Sequence, residues 1–261
     1  RREEQRIFSI GSKTNFMHQL ILGDSFKLLD TLRTRVDCII ADPPYNTANK
    51  NTKILKGRKA RSSDFGSWDY FSDDEYVAFM DEWISKTPRI LKPNGNLIIF
   101  CKLEYVSIIK HIYEQYGYKH HATMIWHKTN PAPQIRKNGF LSSCEAILWA
   151  SLGFDDAKIS YTFNFSKQNE MHNFVETPIC MGKERTAHPT QKPKKVLAKL
   201  VRIFSNEGDT ILDPFAGSGT LTDVCNDMNR NSISIEKDTG YFDIAQKRLA
   251  NISKIKIIRK P

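Results

Sequence analysis

The motif Asp42-Pro43-Pro44-Tyr45 directly follows an apolar run over residues 36–41. Ligands of open α/β sheets bind beyond the carboxyl ends of the strands, so this position predicts a place in a cleft. Two successive prolines fix φ and remove two N–H donors. The Pro43 carbonyl and the Asp42 carboxylate then offer two acceptors to an –NH2 group, and Tyr45 offers a ring on which a planar base can stack. The motif indicates chemistry on the amino group of a flat heterocycle; the alternative is a plain turn after a strand.

A second motif, Asp213-Pro-Phe-Ala-Gly-Ser-Gly-Thr220, lies at a predicted strand-to-helix turn near the other end of the chain. Gly217 and Gly219 let the backbone pass close to a ligand. No Gly-Lys-Ser/Thr follows, so this is not a P-loop, and Thr222 stands where a dinucleotide fingerprint has its third Gly or Ala. The next predicted strand ends at Glu236, which is placed to accept hydrogen bonds from ribose hydroxyls. A nucleoside cofactor fits this pattern; a nicotinamide oxidoreductase would share the glycine turn but has no use for the first motif.

The charge of the chain has two interpretations, a basic soluble surface or a polyanionic partner, and its clustering is typical of the second. The chain has 39 Lys and Arg against 29 Asp and Glu, a formal charge of +10. Residues 183–202 carry seven cations and one acid, and the loop predicted over residues 46–71 carries six cations within residues 50–61. Cations that neutralise phosphates gain affinity by releasing counterions. We expect this loop to contact nucleic-acid phosphates, with disorder as the alternative. Its cations are Lys50, Lys53, Lys56, Arg58, Lys59 and Arg61.

The elements that must position these residues alternate between short apolar runs and amphipathic stretches, which is typical of βαβ units. Predicted strands cover residues 18–23, 36–41, 95–101, 121–126, 144–150, 210–213 and 232–236. Predicted helices cover residues 25–32, 73–91, 106–116, 193–204, 217–226 and 241–252. Ser25 is a candidate N-cap of the first helix. Residues 153–187 show no clear period, and a structureless segment of that length is usually functional.

Composition narrows the class of protein. The chain is 40% hydrophobic and 26% charged, which is ordinary for a soluble globular protein, and we expect one domain over residues 1–261. The longest apolar runs are strand-sized, and no signal-peptide pattern opens the chain. The five cysteines form no C-x-x-C pair, which argues against a zinc site and a disulfide framework. We expect a cytoplasmic protein without membrane association.

The two motifs resemble those of the β-class amino-methyltransferases of bacterial restriction–modification systems, and the resemblance extends from residue 18 onward. Residues 42–45 are similar to that family's catalytic motif, and residues 213–220 to its S-adenosylmethionine loop. Further segments that follow the family's pattern are residues 126–131, 145–149 and 188–193. The resemblance implies a Rossmann-like class I methyltransferase fold of the α/β class. Its mostly parallel seven-stranded sheet has helices on both faces, and the motif order is permuted, with the cofactor loop last.

The resemblance also implies the order of four strands and the residues around the cofactor. The strand ending at Asp213 is the first of the Rossmann-like order, followed by those ending at Glu236, Asp24 and Asp42. The implied cofactor is S-adenosylmethionine, and no metal is expected. Asp24 and Ser25 are expected near its adenine, although Asp24 could instead cap a helix. The other expected cofactor ligands are Thr190 and Lys192 at its carboxylate, with Asp213, Phe215, Ala216, Gly217, Ser218, Gly219, Thr220 and Glu236 around the rest.

Asp42 bears on the target base. Cytosine-N4 members of the resembled family usually carry Ser at this position, so Asp favours N6 of an adenine flipped out of DNA. The expected catalytic residues are Asp42, Pro43, Pro44 and Tyr45. Cytosine-N4 transfer, RNA methylation and a catalytically silent DNA-binding subunit stay open as alternatives.

The resemblance places target recognition in residues 153–187. Side chains there that suit base edges are Asn164, Gln168, Asn169, Asn173 and Arg185. Trp68 and Trp149 are expected to pack rather than to stack on DNA. The expected partners are double-stranded or single-stranded DNA, a cognate restriction endonuclease and a second copy of the chain.

Overall fold

A nine-stranded sheet runs through the protein in a computed structural model that describes residues 17–46, 71–134, 137–153 and 161–259. Most of the predicted basic loop falls outside these ranges. The cations Lys50, Lys53, Lys56, Arg58, Lys59 and Arg61 and the ring of Trp68 are therefore outside the described residues.

The strands and helices alternate along much of the chain. The strands are β1 (His18–Leu22), β2 (Val36–Ala41), β3 (Leu91–Cys101), β4 (Tyr118–Lys128), β5 (Cys144–Leu152), β6 (Phe174–Thr177), β7 (Thr210–Asp213), β8 (Asn231–Glu236) and β9 (Ile255–Arg259). The helices are α1 (Ser25–Thr31), α2 (Asp73–Ile90), α3 (Val106–Gln115), α4 (Lys194–Phe204), α5 (Thr220–Asp227) and α6 (Thr239–Arg248). Short 3-10 turns cover Leu103–Tyr105, Gln168–Glu170 and Gly182–Glu184.

The strand order is β6-β4-β5-β3-β2-β7-β8-β1-β9, and every described pairing is parallel except those of β5 with β3 and β4. The central order β2-β7-β8-β1 confirms the predicted Rossmann-like arrangement. The predicted count of seven strands is wrong, because β6 and β9 extend the sheet at its two edges. Both added strands are only four or five residues long and are partly exposed, so the sequence carries little apolar signal for them.

Alternating side chains of the strands pack against helices on opposite faces. Ile39 and Ala41 of β2 belong to the core under α1, α2 and α3. Cys38 and Ile40 of the same strand belong to the core under α4 and α5. This alternation follows from the two-residue period of a strand and confirms the predicted helices on both faces. Among the described residues, no helix combines the length and apolar character that a membrane span requires.

The ends of the helices differ from the predicted boundaries in two instructive places. Asp24, rather than Ser25, caps α1: its carboxylate accepts the Phe26 N–H at 3.0 Å. The Ser25 hydroxyl instead donates to the Pro214 carbonyl, so it is not free to cap the helix. Helix α5 begins at Thr220 and not at Gly217, because Gly217 and Gly219 have φ values of 52° and 73° and lie outside the right-handed helical region.

Candidate active site

Asp42 and the glycine loop lie beyond the same edge of the sheet. Asp42 follows β2, and the loop that begins at Asp213 follows β7, the parallel neighbour of β2. Cys38 pairs with Ile211 and Ile39 with Leu212, so both strands end at nearly the same level. The fold therefore brings together two motifs that are about 170 residues apart in the sequence, as the permuted order predicts.

The Asp42 carboxylate forms a close ion pair with Lys192. The Lys192 ammonium donates to both Asp42 oxygens at 2.7 Å, and its side chain is only 6% exposed. The ammonium also lies 4.8 Å from the centre of the Tyr45 ring and 5.2 Å from that of Phe100. Aromatic faces stabilise a desolvated cation, so the environment of Lys192 favours its charged form.

Two further charges, from β4 and β5, extend this pair. Glu145 Oε2 accepts the Tyr45 hydroxyl at 3.0 Å and lies 3.3 Å from the Lys192 ammonium. The other oxygen of Glu145 pairs with Lys128 Nζ at 2.8 Å. Because β5 runs antiparallel to β4, the start of β5 and the end of β4 meet at the edge where Asp42 lies.

The surroundings of these charges shift their proton affinities. Burial raises the pKa of the Asp42 carboxyl, and Lys192 only partly opposes this shift. Burial disfavours the charges of Lys192 and Glu145, but the neighbouring opposite charges outweigh it, so they raise the pKa of Lys192 and lower the pKa of Glu145. The site thus combines a firmly charged ammonium with a carboxylate that is more basic than an exposed aspartate.

The rest of the first motif is held in place by neighbouring segments. Pro43 is buried, while Pro44 and Tyr45 are half-buried. Asn46 ends the motif with a left-handed φ of 54°; its amide donates to the Tyr105 hydroxyl at 3.2 Å and accepts the Phe71 N–H at 3.0 Å. Burial, ring packing and these hydrogen bonds fix the path of the chain after the two prolines, so Tyr45 presents its ring from a rigid loop.

The glycine loop is closed by hydrogen bonds to the next strand. The Gly217 N–H donates to Glu236 Oε2 at 2.7 Å, and the Ala216 N–H donates to the Ile235 carbonyl at 2.9 Å. Asp213 is buried and accepts the Phe215 N–H at 3.1 Å. Burial raises the pKa of Asp213 to about 8 and that of Glu236 to about 7.

The remaining residues of the loop line its flanks. The Phe215 ring packs edge-on against Trp83 with centroids 5.4 Å apart, and it also contacts Phe79. The Ser218 and Thr220 hydroxyls are buried and lie 2.9 Å apart. Gly219 packs against α6, since a Cβ added there would lie 3.0 Å from that of Ala245. Only a glycine fits this combination of positive φ and close helix contact.

His188 joins the segment before α4 to the glycine loop. A Cβ added at Gly217 would lie 2.9 Å from His188 Nε2, and the imidazole packs on Tyr241 at a centroid distance of 4.3 Å. Burial lowers the pKa of His188 to about 4, so its ring is neutral at physiological pH. These contacts describe a packing role for His188.

The expected ligands of the cofactor carboxylate, Thr190 and Lys192, lie in the segment before α4. Thr190 is half-buried in the turn before α4. The Lys192 ammonium pairs with Asp42 and Glu145. This pairing is electrostatic, because two carboxylates at the strand ends attract the only lysine of residues 188–193.

The other end of the predicted cofactor site carries Asp24 and Ser25. Asp24 caps α1 and lies 3.2 Å from Lys237 Nζ, and Ser25 ties α1 to the glycine loop through the Pro214 carbonyl. Gly23 donates its N–H to the Glu236 carbonyl at 2.8 Å. The ends of β1, β7 and β8 therefore form one continuous rim.

This rim has the chemistry that a cationic nucleoside cofactor requires. Phe215 and Gly217 are the partly exposed residues of the glycine loop, and the acids Asp213 and Glu236 lie beside it. Burial raises the pKa of both carboxyls, and neither forms a salt bridge among the described residues. A positively charged ligand would supply a cationic partner, so the residues present fit S-adenosylmethionine.

The predicted recognition segment is more ordered than its sequence indicates. Its described part contains β6 and two 3-10 turns. The Asn164 amide donates to the carbonyls of Arg202 and Ser205, and the Asn173 amide donates to that of Thr123, so both side chains have structural partners. The recognition candidates Gln168, Asn169 and Arg185 are exposed, although Arg185 also donates to the Pro189 carbonyl at 2.9 Å. Trp149 packs in the core, as predicted.

Glu145 and Lys128 were not assigned a role from the sequence. Both lie in segments that resemble the family pattern; Lys128 is the last residue of β4 and Glu145 lies at the start of β5, on the edge that holds Asp42. A charged residue at such a position is a usable signal once the direction of each strand is known. The antiparallel direction of β5, which the sequence does not reveal, is what brings Glu145 into the site.

Comparisons with known proteins place the chain among enzymes of one kind. The sequence model of a family described as DNA methylase matches residues 36–247. The Type II methyltransferase M2.DpnII of Streptococcus pneumoniae is 35% identical over 238 residues, which cover 88% of this chain and 88% of that protein. The Type II methyltransferase M.HinfI of Haemophilus influenzae is 31% identical over 253 residues, which cover 91% of this chain and 70% of that protein.

Solved structures show the same likeness. The crystal structure of the M1.HpyAVI–SAM complex superposes with a TM-score of 0.71 at 30% identity, covering 89% of this chain and 99% of that chain. The cytosine-N4-specific PvuII DNA methyltransferase superposes with a TM-score of 0.69 at 18% identity, covering 94% of this chain and 93% of that chain. The second likeness concerns the fold alone.

Proposed function

This chain belongs to the DNA methylase family, and from that premise we propose that it transfers a methyl group from S-adenosylmethionine to N6 of an adenine in DNA. The relatives M2.DpnII and M.HinfI are Type II methyltransferases, so we further propose that this chain modifies DNA in a Type II restriction–modification system. Its DNA substrate is double-stranded, with the target base extruded from the stack.

The observation that carries the proposal is the adjacency of Asp42 and the glycine loop at the ends of paired strands β2 and β7. An acceptor for an amino group and a cradle for a nucleoside cofactor thereby face one cleft edge. The residue at the acceptor position is Asp and not Ser, which favours adenine over cytosine as the target.

The residues around Asp42 can align the amino group for attack. When bound, S-adenosylmethionine supplies an activated methyl group on a sulfonium centre. Asp42 and the Pro43 carbonyl each accept one hydrogen of the amine, which favours a more tetrahedral nitrogen with its lone pair available. Tyr45 stacks on the base, and Glu145 holds the Tyr45 hydroxyl at 3.0 Å. Catalysis then consists of alignment and electrostatic stabilisation, and Asp42 takes up the proton that the nitrogen loses.

Cofactor binding falls to the rim around the glycine loop. The loop after β7 holds the cofactor with Asp213, Phe215, Ala216, Gly217, Ser218, Gly219 and Thr220. The residues around it are Glu236, Asp24, Ser25 and Thr190. Lys192, which the resemblance implies at the cofactor carboxylate, pairs with Asp42, so we propose that it acts on the base-binding side of the site.

DNA binding combines phosphate and base contacts. Extruding a paired base costs a few kcal/mol, which contacts to the backbone must offset. We assign phosphate contacts to the cations of residues 50–61 and base reading to exposed residues of the segment 161–187, including Arg185.

The proposal is tested by the identity of the methylated nucleoside. The protein is incubated with unmethylated duplex DNA of high sequence complexity and with cofactor bearing a deuterated methyl group, and the digested nucleosides are analysed by mass spectrometry. We expect deuterated N6-methyladenine. Deuterated N4-methylcytosine would contradict the assignment of the base, and label found only in a parallel RNA sample would contradict the assignment of the nucleic acid.

A further inference from the structure

Four charged side chains form a continuous chain across the active site, in the order Lys128, Glu145, Lys192 and Asp42. The successive N–O distances are 2.8 Å, 3.3 Å and 2.7 Å. The four side chains come from β4, β5, the segment before α4 and the loop after β2. Elements that are distant in the sequence therefore converge on one ionic cluster.

Stability alone does not explain this cluster. The Lys192 side chain is 6% exposed, and those of Lys128 and Glu145 are each 13% exposed. Removing charges from water costs several kcal/mol per ion, and apolar side chains of similar volume are often at least as stabilising as buried ion pairs. The two ammoniums and two carboxylates sum to zero charge, which reduces the electrostatic cost of burying the cluster. It does not explain why charged rather than apolar side chains occupy these positions.

Glu145 is the junction of the cluster. One of its oxygens accepts the Tyr45 hydroxyl and lies near the Lys192 ammonium, while the other pairs with Lys128. Lys192 in turn bonds both oxygens of Asp42. The two residues that we assign to the base, Asp42 and Tyr45, are hydrogen-bonded to each other and are also connected through Glu145 and Lys192.

We propose that Glu145 is a positioning residue for methyl transfer, which shares the Lys192 ammonium with Asp42 and holds the Tyr45 ring through its hydroxyl. Glu145 does not touch the base in this account. It fixes the acceptor carboxylate and the stacking ring in one frame, and it determines how strongly Lys192 binds Asp42. The inference rests on the role of Asp42 proposed above.

The cluster predicts opposite effects of its members on Asp42. Lys192 stabilises the ionised carboxylate, whereas Glu145 repels it and withdraws part of the ammonium. Charged and titratable groups that face Asp42 or act through these neighbours are Lys192 before α4, Glu145 on β5, Lys128 on β4, Tyr45 on the same loop, Asp213 at the end of β7 and Cys101 at the end of β3. Loss of Lys192 therefore raises the pKa of Asp42, and loss of the Glu145 charge lowers it.

The primary experiment measures this titration without cofactor or DNA. Carbon-13 carboxyl resonances of aspartate are titrated in the native protein, and the Asp42 signal is identified by its absence in Asp42→Asn. We expect Lys192→Met to move the Asp42 midpoint up by about 1–3 pH units, the usual effect of losing an opposite charge at this range. Glu145→Gln, which keeps an acceptor for the Tyr45 hydroxyl, should move it down.

Activity supplies a second readout of the same shifts. With cofactor at saturation, so that Asp213 and Glu236 are already paired with it, the acidic limb of the pH profile of kcat/KM for DNA reports the ionisation of Asp42; it should move up in Lys192→Met and down in Glu145→Gln. In Glu145→Gln we also expect kcat to fall about tenfold or more, with the KM for cofactor within about twofold of native, since the glycine loop is untouched.

Matched controls separate this role from general effects of charge removal. Lys194→Met removes the neighbouring ammonium, which pairs with Asp223 and Asp227, and Glu176→Gln removes the exposed acid that pairs with His127. Neither should move the Asp42 midpoint. Should Lys192→Met fail to fold, Lys128→Met replaces it, because Glu145 would then attract Lys192 more strongly and the midpoint should rise by a smaller amount.

Midpoints that move in the same direction in the lysine and glutamate variants, or that do not move in either, would overturn the inference. The nucleosides methylated in the activity assay are identified from the same samples. N4-methylcytosine there would refute adenine as the target while the titration still decides the role of Glu145, so the two failures are distinguishable.

Discussion

Substituting Gly217 by alanine tests the packing of the cofactor loop in two separable ways. Gly217 has a φ of 52°, and a Cβ there would lie 2.9 Å, 3.2 Å and 3.4 Å from three atoms of the His188 imidazole. The imidazole is 8% exposed and packs on Tyr241, so it has little room to move. The substitution therefore adds backbone strain and a steric conflict at once.

Gly182→Ala isolates the first of these effects. Gly182 has a φ of 58°, and a Cβ there would meet nothing within 4 Å. It should cost only the left-handed strain of a non-glycine residue, about 1–2 kcal/mol. Forcing a methyl group into a packed site costs about 1–3 kcal/mol more. We therefore expect Gly217→Ala to lower the free energy of unfolding by about 2–5 kcal/mol.

The assay is urea denaturation followed by circular dichroism, together with calorimetric titration of S-adenosylmethionine. A displaced loop would lose the 2.7 Å bond from the Gly217 N–H to Glu236, so we expect the cofactor Kd to rise about tenfold or more, which corresponds to about 1.4 kcal/mol. In a His188→Ala background the cost of Gly217→Ala should fall to that of Gly182→Ala. Equal costs for the two glycine substitutions in the native background would refute this reasoning.

Three further outcomes are expected. Asn96→Ala should lower the free energy of unfolding by about 3 kcal/mol or more in urea denaturation, because the buried Asn96 amide donates to two carbonyls and accepts the Trp149 N–H at 2.9 Å. The control Asn226→Ala, at an exposed position, should change it very little. Asp213 and Glu236, whose pKa values are raised to about 8 and about 7, hold protons at neutral pH that a cationic cofactor should expel. Affinity should therefore weaken as pH falls from 8 to 6, and calorimetry in buffers of different ionisation enthalpy should detect proton release that Asp213→Asn reduces; uptake of protons would contradict this. Neutralising the six cations of residues 50–61 should reduce the slope of log Kd for DNA against log salt by up to about 5, and an unchanged slope would remove that loop from the phosphate contacts.

The central order of the sheet could be predicted because it depends on local patterns. Each of the four central strands is an apolar run that ends at an acidic residue or within two residues of one. Because the strands are parallel, these acidic residues lie on one edge of the sheet. The motifs at Asp42 and Asp213 were therefore expected to meet, and they do. The edge strands β6 and β9 escaped prediction because partial exposure removes the apolar pattern that marks a strand.

The partners of individual side chains could not be predicted in the same way. The resemblance implies Lys192 at the cofactor carboxylate, and its pairing with Asp42 and Glu145, which only tertiary structure brings near, is not visible in the sequence. Ser25 has the chemistry of an N-cap, yet its hydroxyl bonds the Pro214 carbonyl 189 residues away. Long-range electrostatics and hydrogen bonds select among several local options that the sequence leaves equivalent.

A single-turnover measurement on Asp42→Asn tests the proposed role of Asp42 most directly. Asparagine keeps the size of the side chain but replaces one acceptor oxygen by an –NH2 donor. That donor cannot accept a hydrogen bond from the target amino group. With cofactor and duplex DNA at saturation, we expect methyl transfer to slow by a factor on the order of 10²–10³, the usual effect of losing one preorganised hydrogen bond at a reacting centre. The cofactor Kd should stay within about threefold of native, and the surface control Asp30→Asn should transfer at the native rate. Transfer by Asp42→Asn at the native rate would contradict the account.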